Sequence, residues 1–246
     1  MTYPPADWII LVVAAFFIGF SKTGLPGAGI LAIPLFAWVI DARASTGVVL
    51  PMLIAGDIFA VAFYRRHADW KHLYRMFPWA VTGIIIGYFA LGAVSDQLLR
   101  PLIGGIILVL LALSTWRDRM QGENPKIPTH WSFAAFLGLA AGITTMMANA
   151  AGPIMAIYLL AMRLPKTVFV GTGAWYFFIL NTFKVPFSWH LGLINAESVK
   201  LNAVLLPAIV AGALIGLYAL KKLPEKLFTR LVQILATAAA VKLLFS

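Results

Sequence analysis

The sequence predicts an all-α integral membrane protein built from two inverted repeats, each a broken or re-entrant hydrophobic hairpin followed by three transmembrane helices. Three observations predict it. First, 61% of the 246 residues are hydrophobic and 11% are charged, against ~25% charged in a typical soluble domain. With a mean hydropathy of +0.90, the chain lacks the polar residues to cover a water-facing surface, so its solvent is lipid. Second, two long apolar segments are each interrupted by small and helix-breaking residues. Third, residues of the first half recur in the second at constant spacing.

In chain order the clean spans are Thr46–Tyr64, Phe77–Val94 and Pro101–Trp116, then Thr167–Trp189, Val199–Leu220 and Leu227–Phe245. Each is long enough for a ~30 Å hydrocarbon layer. Trp8–Ile40 is broken by Ser21-Lys22-Thr23-Gly24-Leu25-Pro26-Gly27-Ala28-Gly29, and Trp131–Met162 by Thr144-Thr145-Met146-Met147-Ala148-Asn149-Ala150-Ala151-Gly152-Pro153. Gly and Pro at this density break a helix. The pieces flanking the first break, Trp8–Phe20 and Ile30–Ile40, are 13 and 11 residues, about 20 and 17 Å at ~1.5 Å per residue. Neither is expected to cross alone, so each broken segment reads as a hairpin that enters and leaves on one side. Residues Met1 to Asp7 carry neither Lys nor Arg, so the basic start of a signal peptide is missing and the first apolar segment is expected to stay. The resulting units are residues 1–116, a cytoplasmic connecting loop 117–130, and residues 131–246.

Positive charge discriminates between topologies. With both broken segments returning to their starting side, one side receives Arg65, Arg66, Lys71, Arg75, Arg117, Arg119, Lys126, Arg163, Lys166, Lys221, Lys222 and Lys226, and the other only Arg43 and Arg100. With one crossing per broken segment the same residues divide evenly. Cytoplasmic loops carry the excess of Lys and Arg, which favours the re-entrant arrangement with both termini outside; two short crossings per segment give the same balance. The same rule accounts for the net charge of +10 without nucleic acid. Absence of cysteine excludes disulfides, thiolate metal sites and thiol catalysis.

The halves match at defined offsets. Pro78, Gly83, Gly87, Ala90 and Leu91 correspond to Pro207, Gly212, Gly216, Ala219 and Leu220 at a spacing of 129, and Gly19, Ser21 and Gly29 to Gly142, Thr144 and Gly152 at 123. One hairpin plus three spans is an odd number of crossings, so the second copy is inverted. Inverted repeats with broken helices in corresponding places are a common plan of secondary transporters.

Over nearly its whole length the sequence resembles the sulfite exporter TauE/SafE family. The resemblance is carried by Gly19-Phe20-Ser21 running through Gly24, Gly27 and Gly29 to Pro34-Leu35, and by its echo from Gly142 through Gly152-Pro153 to Tyr158-Leu159. The chain departs from the family's denser glycine runs by carrying Lys22 and Pro26 in the first and by keeping only Gly152 in the second. The resemblance implies a secondary transporter of small anions such as sulfite or organosulfonates, working without ATP hydrolysis.

Backbone released from helical bonding cannot face lipid, so both breaks are expected inside the protein, lining a cavity. After each, at about Ile30 and Ile154, a half-helix begins, whose free N–H groups and positive dipole end suit an anion. Gly24, Gly27, Gly29 and Gly152 permit close approach to the backbone; Ser21, Thr23, Thr144, Thr145 and Asn149 add hydrogen bonds. The competing reading is that these small residues only allow tight helix crossing. Lys22, inside the first break, reads as a substrate contact, or else as a snorkelling lysine or a partner of Asp57. Asp57 reads as a proton-coupling site or as the counter-ion of Lys22 or Lys184. Asn181 and Lys184 share a helix face, ahead of Pro186, and are candidates for the same site, with Trp175 and Tyr176 as possible lining. His67, His72, His130 and His190 lie in loops or at span ends without metal-ligand spacing.

The expected partners are a small anion, the lipid bilayer and protons, with no cofactor and no nucleic acid. No catalytic motif appears and no enzyme is expected, Asp57 with Lys22 being the single candidate pair for an intramembrane reaction. An anion channel is the nearest rival to a carrier.

Overall fold

The computed structural model describes residues 3–24, 28–120, 131–162, 164–219 and 225–245. Gly27, His130 and most of the connecting loop lie outside them. The helices are α1 Pro5–Thr23, α2 Ala32–Val39 preceded by a 3₁₀ turn Ala28–Leu31, α3 Ala42–Tyr64, α4 Trp70–Ala93, α5 Asp96–Met120, α6 Trp131–Ala148, α7 Gly152–Ala161, α8 Lys166–His190, α9 Ala196–Ala219 and α10 Glu225–Leu244. Among the described residues there is no strand. Seven helices, α1, α3, α4, α5, α6, α8 and α9, contain stretches long and apolar enough to cross a membrane. The protein is a multi-pass, all-helical membrane protein.

Each clean span becomes a helix, most of them extended at the polar end. The extensions follow from capping. Asp69 accepts from the Lys71 N–H at the start of α4. Before α9, Asn195 and Ser198 exchange hydrogen bonds of 2.9 Å between side chain and backbone, as capping residues do.

The broken segments differ from expectation in where they break. α1 starts at Pro5, a residue suited to the first helical position, and continues through Ser21, Lys22 and Thr23. At 19 residues, about 28 Å, it is long enough to cross alone, contrary to the 13-residue estimate. Lys22 at its end complements the negative end of the helix dipole. α6 likewise runs through Thr144 and Thr145 to Ala148. Each broken segment is therefore one long helix and one short one, α2 with 8 residues and α7 with 10.

Packing is reciprocal between the halves. The most extensive pairings set α1 against α9 and α6 against α4, with α3 against α8 and α5 against α10 next. So the first long helix of each half packs on a later helix of the other. Glycine makes these crossings close: a Cβ at Gly19 would overlap the Ile209 carbonyl and one at Gly212 the Phe16 carbonyl, while one at Gly83 would overlap the Leu139 carbonyl and one at Gly142 the Ala80 carbonyl. These are repeat-matched positions. With lipid on the outside, close backbone packing rather than apolar burial holds such helices together.

The two ends of each broken segment pack near each other. Tyr3 and Trp8, at the start of α1, pack in one cluster with Val39 and Ile40, at the end of α2. Phe133, at the start of α6, stacks on Tyr158, near the end of α7, with centroids 6.4 Å apart. The α2–α3 corner also meets the start of α5: the Arg43 N–H donates to Asp96 Oδ1 at 2.9 Å, and Arg100 lies 3.7 Å from Asp41. The start of α8 meets the other end of α3, where a Cβ at Gly171 would be 2.9 Å from the His67 carbonyl.

Candidate functional site: a charged cavity between two helix breaks

The first break is held by side chains at the end of α1. Thr23 Oγ1 donates to the Ala213 carbonyl of α9 at 2.6 Å, and the Gly24 N–H closes the last turn on Phe20 at 2.8 Å. Ser21 Oγ donates to Ile18 O at 2.9 Å. A Cβ on Gly29 would stand 2.6 Å from that hydroxyl, so glycine is what lets the returning chain pass.

Lys22 turns inward. Its Nζ lies 2.7 Å from Asp57 Oδ1, an ion pair, and 4.7 Å from the centre of the Phe177 ring. Gly56, next to Asp57, makes room for it: a Cβ there would be 2.8 Å from Lys22 Cγ. Asp57 is fully buried, and its other oxygen accepts from Asn181 Nδ2 at 2.7 Å. A buried charge persists only when paired and hydrogen-bonded, and α1 and α8 together supply both.

The second break is a three-residue turn. Asn149 adopts φ 52°, the left-handed region that Asn tolerates better than most residues. Its Nδ2 donates to the Thr46 carbonyl at 2.9 Å. Lys184 Nζ donates to Thr145 O at 2.9 Å, Thr145 Oγ1 at 3.0 Å and Asn149 Oδ1 at 2.7 Å. Three donors meet three acceptors, and the ammonium sits at the C-terminal end of α6, where the dipole favours a cation. The Thr145 carbonyl thus accepts twice, from the Asn149 N–H at 3.0 Å and from Lys184.

Both breaks border one cavity of about 120 Å³. Of the sequence-predicted residues, Ser21, Lys22, Gly29, Asp57, Thr145, Asn149, Gly152 and Asn181 line it. Thr23, Gly24, Thr144 and Lys184 are not among its lining: Thr23 and Gly24 face α9, Thr144 Oγ1 bonds back to Ala140 O at 2.9 Å, and Lys184 stands behind Thr145 and Asn149. Trp175 and Tyr176 are not in the lining either, packing instead on Trp70 and Phe77. Ile18, Ile30, Leu53 and Phe177 contribute apolar wall. Phe177 and Gly56 are the site residues that sequence reasoning missed; Gly56 adjoins the one acidic residue inside a span, which was the available signal. His72 and His190 pair with Tyr158 and Tyr88 at 3.1 and 2.8 Å, outside the cavity.

The cavity wall thus carries one ion pair, Lys22 with Asp57, with Lys184 held one layer behind it by Thr145 and Asn149. Membrane-crossing helices around such a cavity, at two helix breaks, define a polytopic protein of the transporter class. The family model of the sulfite exporter TauE/SafE matches residues 11–243, and the chain belongs to that family. It is similar to the probable membrane transporter protein MamO of Paramagnetospirillum magneticum (strain ATCC 700264 / AMB-1), at 22% identity over 72% of this chain and 34% of that protein. The chain thus spans about a third of that relative's length. No solved structure matches it.

Proposed function

We propose that the protein is a secondary transporter that moves a small anion (sulfite, an organosulfonate or a similar sulfur or carboxylate anion) across the cytoplasmic membrane by alternating access around this cavity. The observation that carries the proposal is the meeting of the two breaks at one cavity whose lining carries Lys22, an ammonium held by Asp57 and able to exchange that carboxylate for a bound anion. Lys22 is the direct contact, with Thr145 and the start of α7 as further donors; Lys184 holds the second break in shape. Family membership and the transporter named above support the class.

The reciprocal packing supports two inverted repeats. The contacts between the start and end of each hairpin support re-entrant segments, one from each side, with both termini outside the cell. Reporter fusions test this, and a cytoplasmic C-terminus overturns it.

Asp57 is the proposed proton site. A proton on Asp57 frees Lys22 for the anion, so proton and anion bind together and move in the same direction; Lys22 from α1 and Lys184 from α8 are the charged groups acting on it. Flux in proteoliposomes of sulfite, sulfonates and small carboxylates, with and without a pH gradient, is the test. The expected result is saturable flux driven by the gradient, lost in Lys22→Ala, and independent of the gradient in Asp57→Asn. Non-saturable flux indifferent to the gradient marks a channel instead. If none of these anions moves, and Lys22→Ala leaves the true substrate's transport intact, the anion site is refuted.

A further inference from the structure

We propose that the cavity takes a singly charged organic anion with a hydrocarbon body, its charged end at Lys22 and its body between α7 and α8, and that compact inorganic anions, sulfite included, are poor ligands. The inference rests on the anion-transporter reading and narrows its ligand. Lys22 is the one cation among the described lining residues. Its side chain keeps 12% of its surface open, while that of Asp57 keeps none. One ammonium meets one negative charge. A second negative charge finds no counter-charge in the wall, because Lys184 stands behind Thr145 and Asn149 and is held by their oxygens.

The rest of the wall offers an anion little. Ser21 Oγ donates to Ile18 O and Asn149 Nδ2 to Thr46 O, so both are engaged inside the protein. Beyond this layer the lining is carbon. Toward the side bearing His67 it includes Ala60 of α3, Met155 and Leu159 of α7, and Phe169, Val170 and Ala174 of α8. From Phe177, whose ring the Lys22 ammonium faces, back to Phe169 is eight residues of helix, about 12 Å. A Cβ at Gly173, between them, would meet nothing nearer than Leu159 Cδ1 at 3.8 Å, so the space between α7 and α8 is open there. A compact oxyanion, hydrogen-bonded by water on every face, would exchange most of that shell for hydrocarbon, a cost that one ammonium does not offset. A hydrocarbon body reverses the sign, because each methylene moved from water to this wall is favourable. The cavity volume of about 120 Å³ is close to the ~150 Å³ of an apolar cavity that admits benzene, which sets the ligand's size at a headgroup and a few carbons.

The test measures calorimetric binding to the full-length protein in nanodiscs, with the signal of empty nanodiscs subtracted. The ligands are the straight-chain alkanesulfonates from methanesulfonate to butanesulfonate, with sulfite and sulfate. The expected result is an affinity that rises about fourfold per methylene, with sulfite and sulfate about tenfold or more weaker than butanesulfonate. The rise is expected to disappear in Gly173→Leu, whose side chain fills the space between α7 and α8. Equal affinities along the wild-type series, or sulfite or sulfate as tight as butanesulfonate, overturn the inference whether or not the variant folds. A rise unchanged in folded Gly173→Leu overturns the placement of the body between α7 and α8. If sulfite binds best and Lys22→Ala abolishes its binding, the anion reading stands and this inference alone fails. If none of these anions binds to the wild type, both fall.

Discussion

Asp57 and Asn181, 124 positions apart, meet side chain to side chain at 2.7 Å where α3 packs on α8. Gly47 and Gly171 are separated by the same 124 positions, and each seats the start of its helix against the backbone just past the end of the other, at Leu193 and His67. The acid and the amide therefore occupy matching places in the two halves.

The charge on Asp57 depends on Lys22. Lys22→Met leaves Asp57 buried with the amide as its remaining polar contact, and is expected to lower stability by about 3 kcal/mol, the lower end for removing one partner of a buried pair. Adding Asp57→Asn removes the orphaned charge and is expected to restore most of the loss. Unfolding of both variants in detergent checks this; a double variant no more stable than Lys22→Met contradicts the pairing.

Lys184 closes the second break without lining the cavity. Lys184→Met removes a cation held by three oxygens of Thr145 and Asn149, at an expected cost of about 2 kcal/mol or more. Amide hydrogen exchange is expected to rise at residues 145–151 first. For transport, a misplaced break lowers turnover more than a direct contact does, so the maximal rate falls with a smaller change in half-saturation. Equal loss of both signals direct contact with the anion.

The glycine crossings predict matched sensitivity. Gly212→Val and Gly83→Val each drive a side chain into a backbone carbonyl of the partner helix, where no rotamer change gives relief. Both are expected to reduce folded yield severely and to a similar extent. Gly105→Ala, with nothing within 4 Å, is the control and is expected to behave as wild type. Monodisperse yield on size exclusion is the readout.

The cavity also has a direction. It runs along α7 to Leu159 and along the first half of α8 from Phe169, but on α2 it reaches no further than Ile33; beyond that, Phe36 is fully buried against α1, α3 and α9. With no native cysteine, Val170→Cys is expected to react with a membrane-impermeant maleimide from the side bearing His67, and Phe36→Cys from neither side until transport begins. Labelling of Phe36→Cys at rest refutes a closed far side.

Much of this was legible in sequence. Composition fixed the solvent, and the glycine matches at 123 and 129 marked contacts that the helices make. The exact edge of each break was not legible. Small residues at the end of α1 and α6 read as breakers, but Lys22, Thr23 and Thr145 continue the helix because their side chains are satisfied across to α3, α9 and α8. The separate work of the two lysines was illegible for the same reason: on a linear chain both are cations in apolar spans, and only the packing of α8 behind Thr145 and Asn149 separates them. The spans of Asp57 and Asn181 correspond in sequence at a spacing near 126, but the pairing of the two residues at 124 was not legible because their identities differ.

The crossing of α1 with α9 imposes an order of events on synthesis. The Thr23–Ala213 bond joins residues 190 positions apart. α1 must therefore wait, its glycine face open to lipid or to the insertion machinery, until α9 has been translated. A chain that ends before α9 leaves that groove of α1 unfilled.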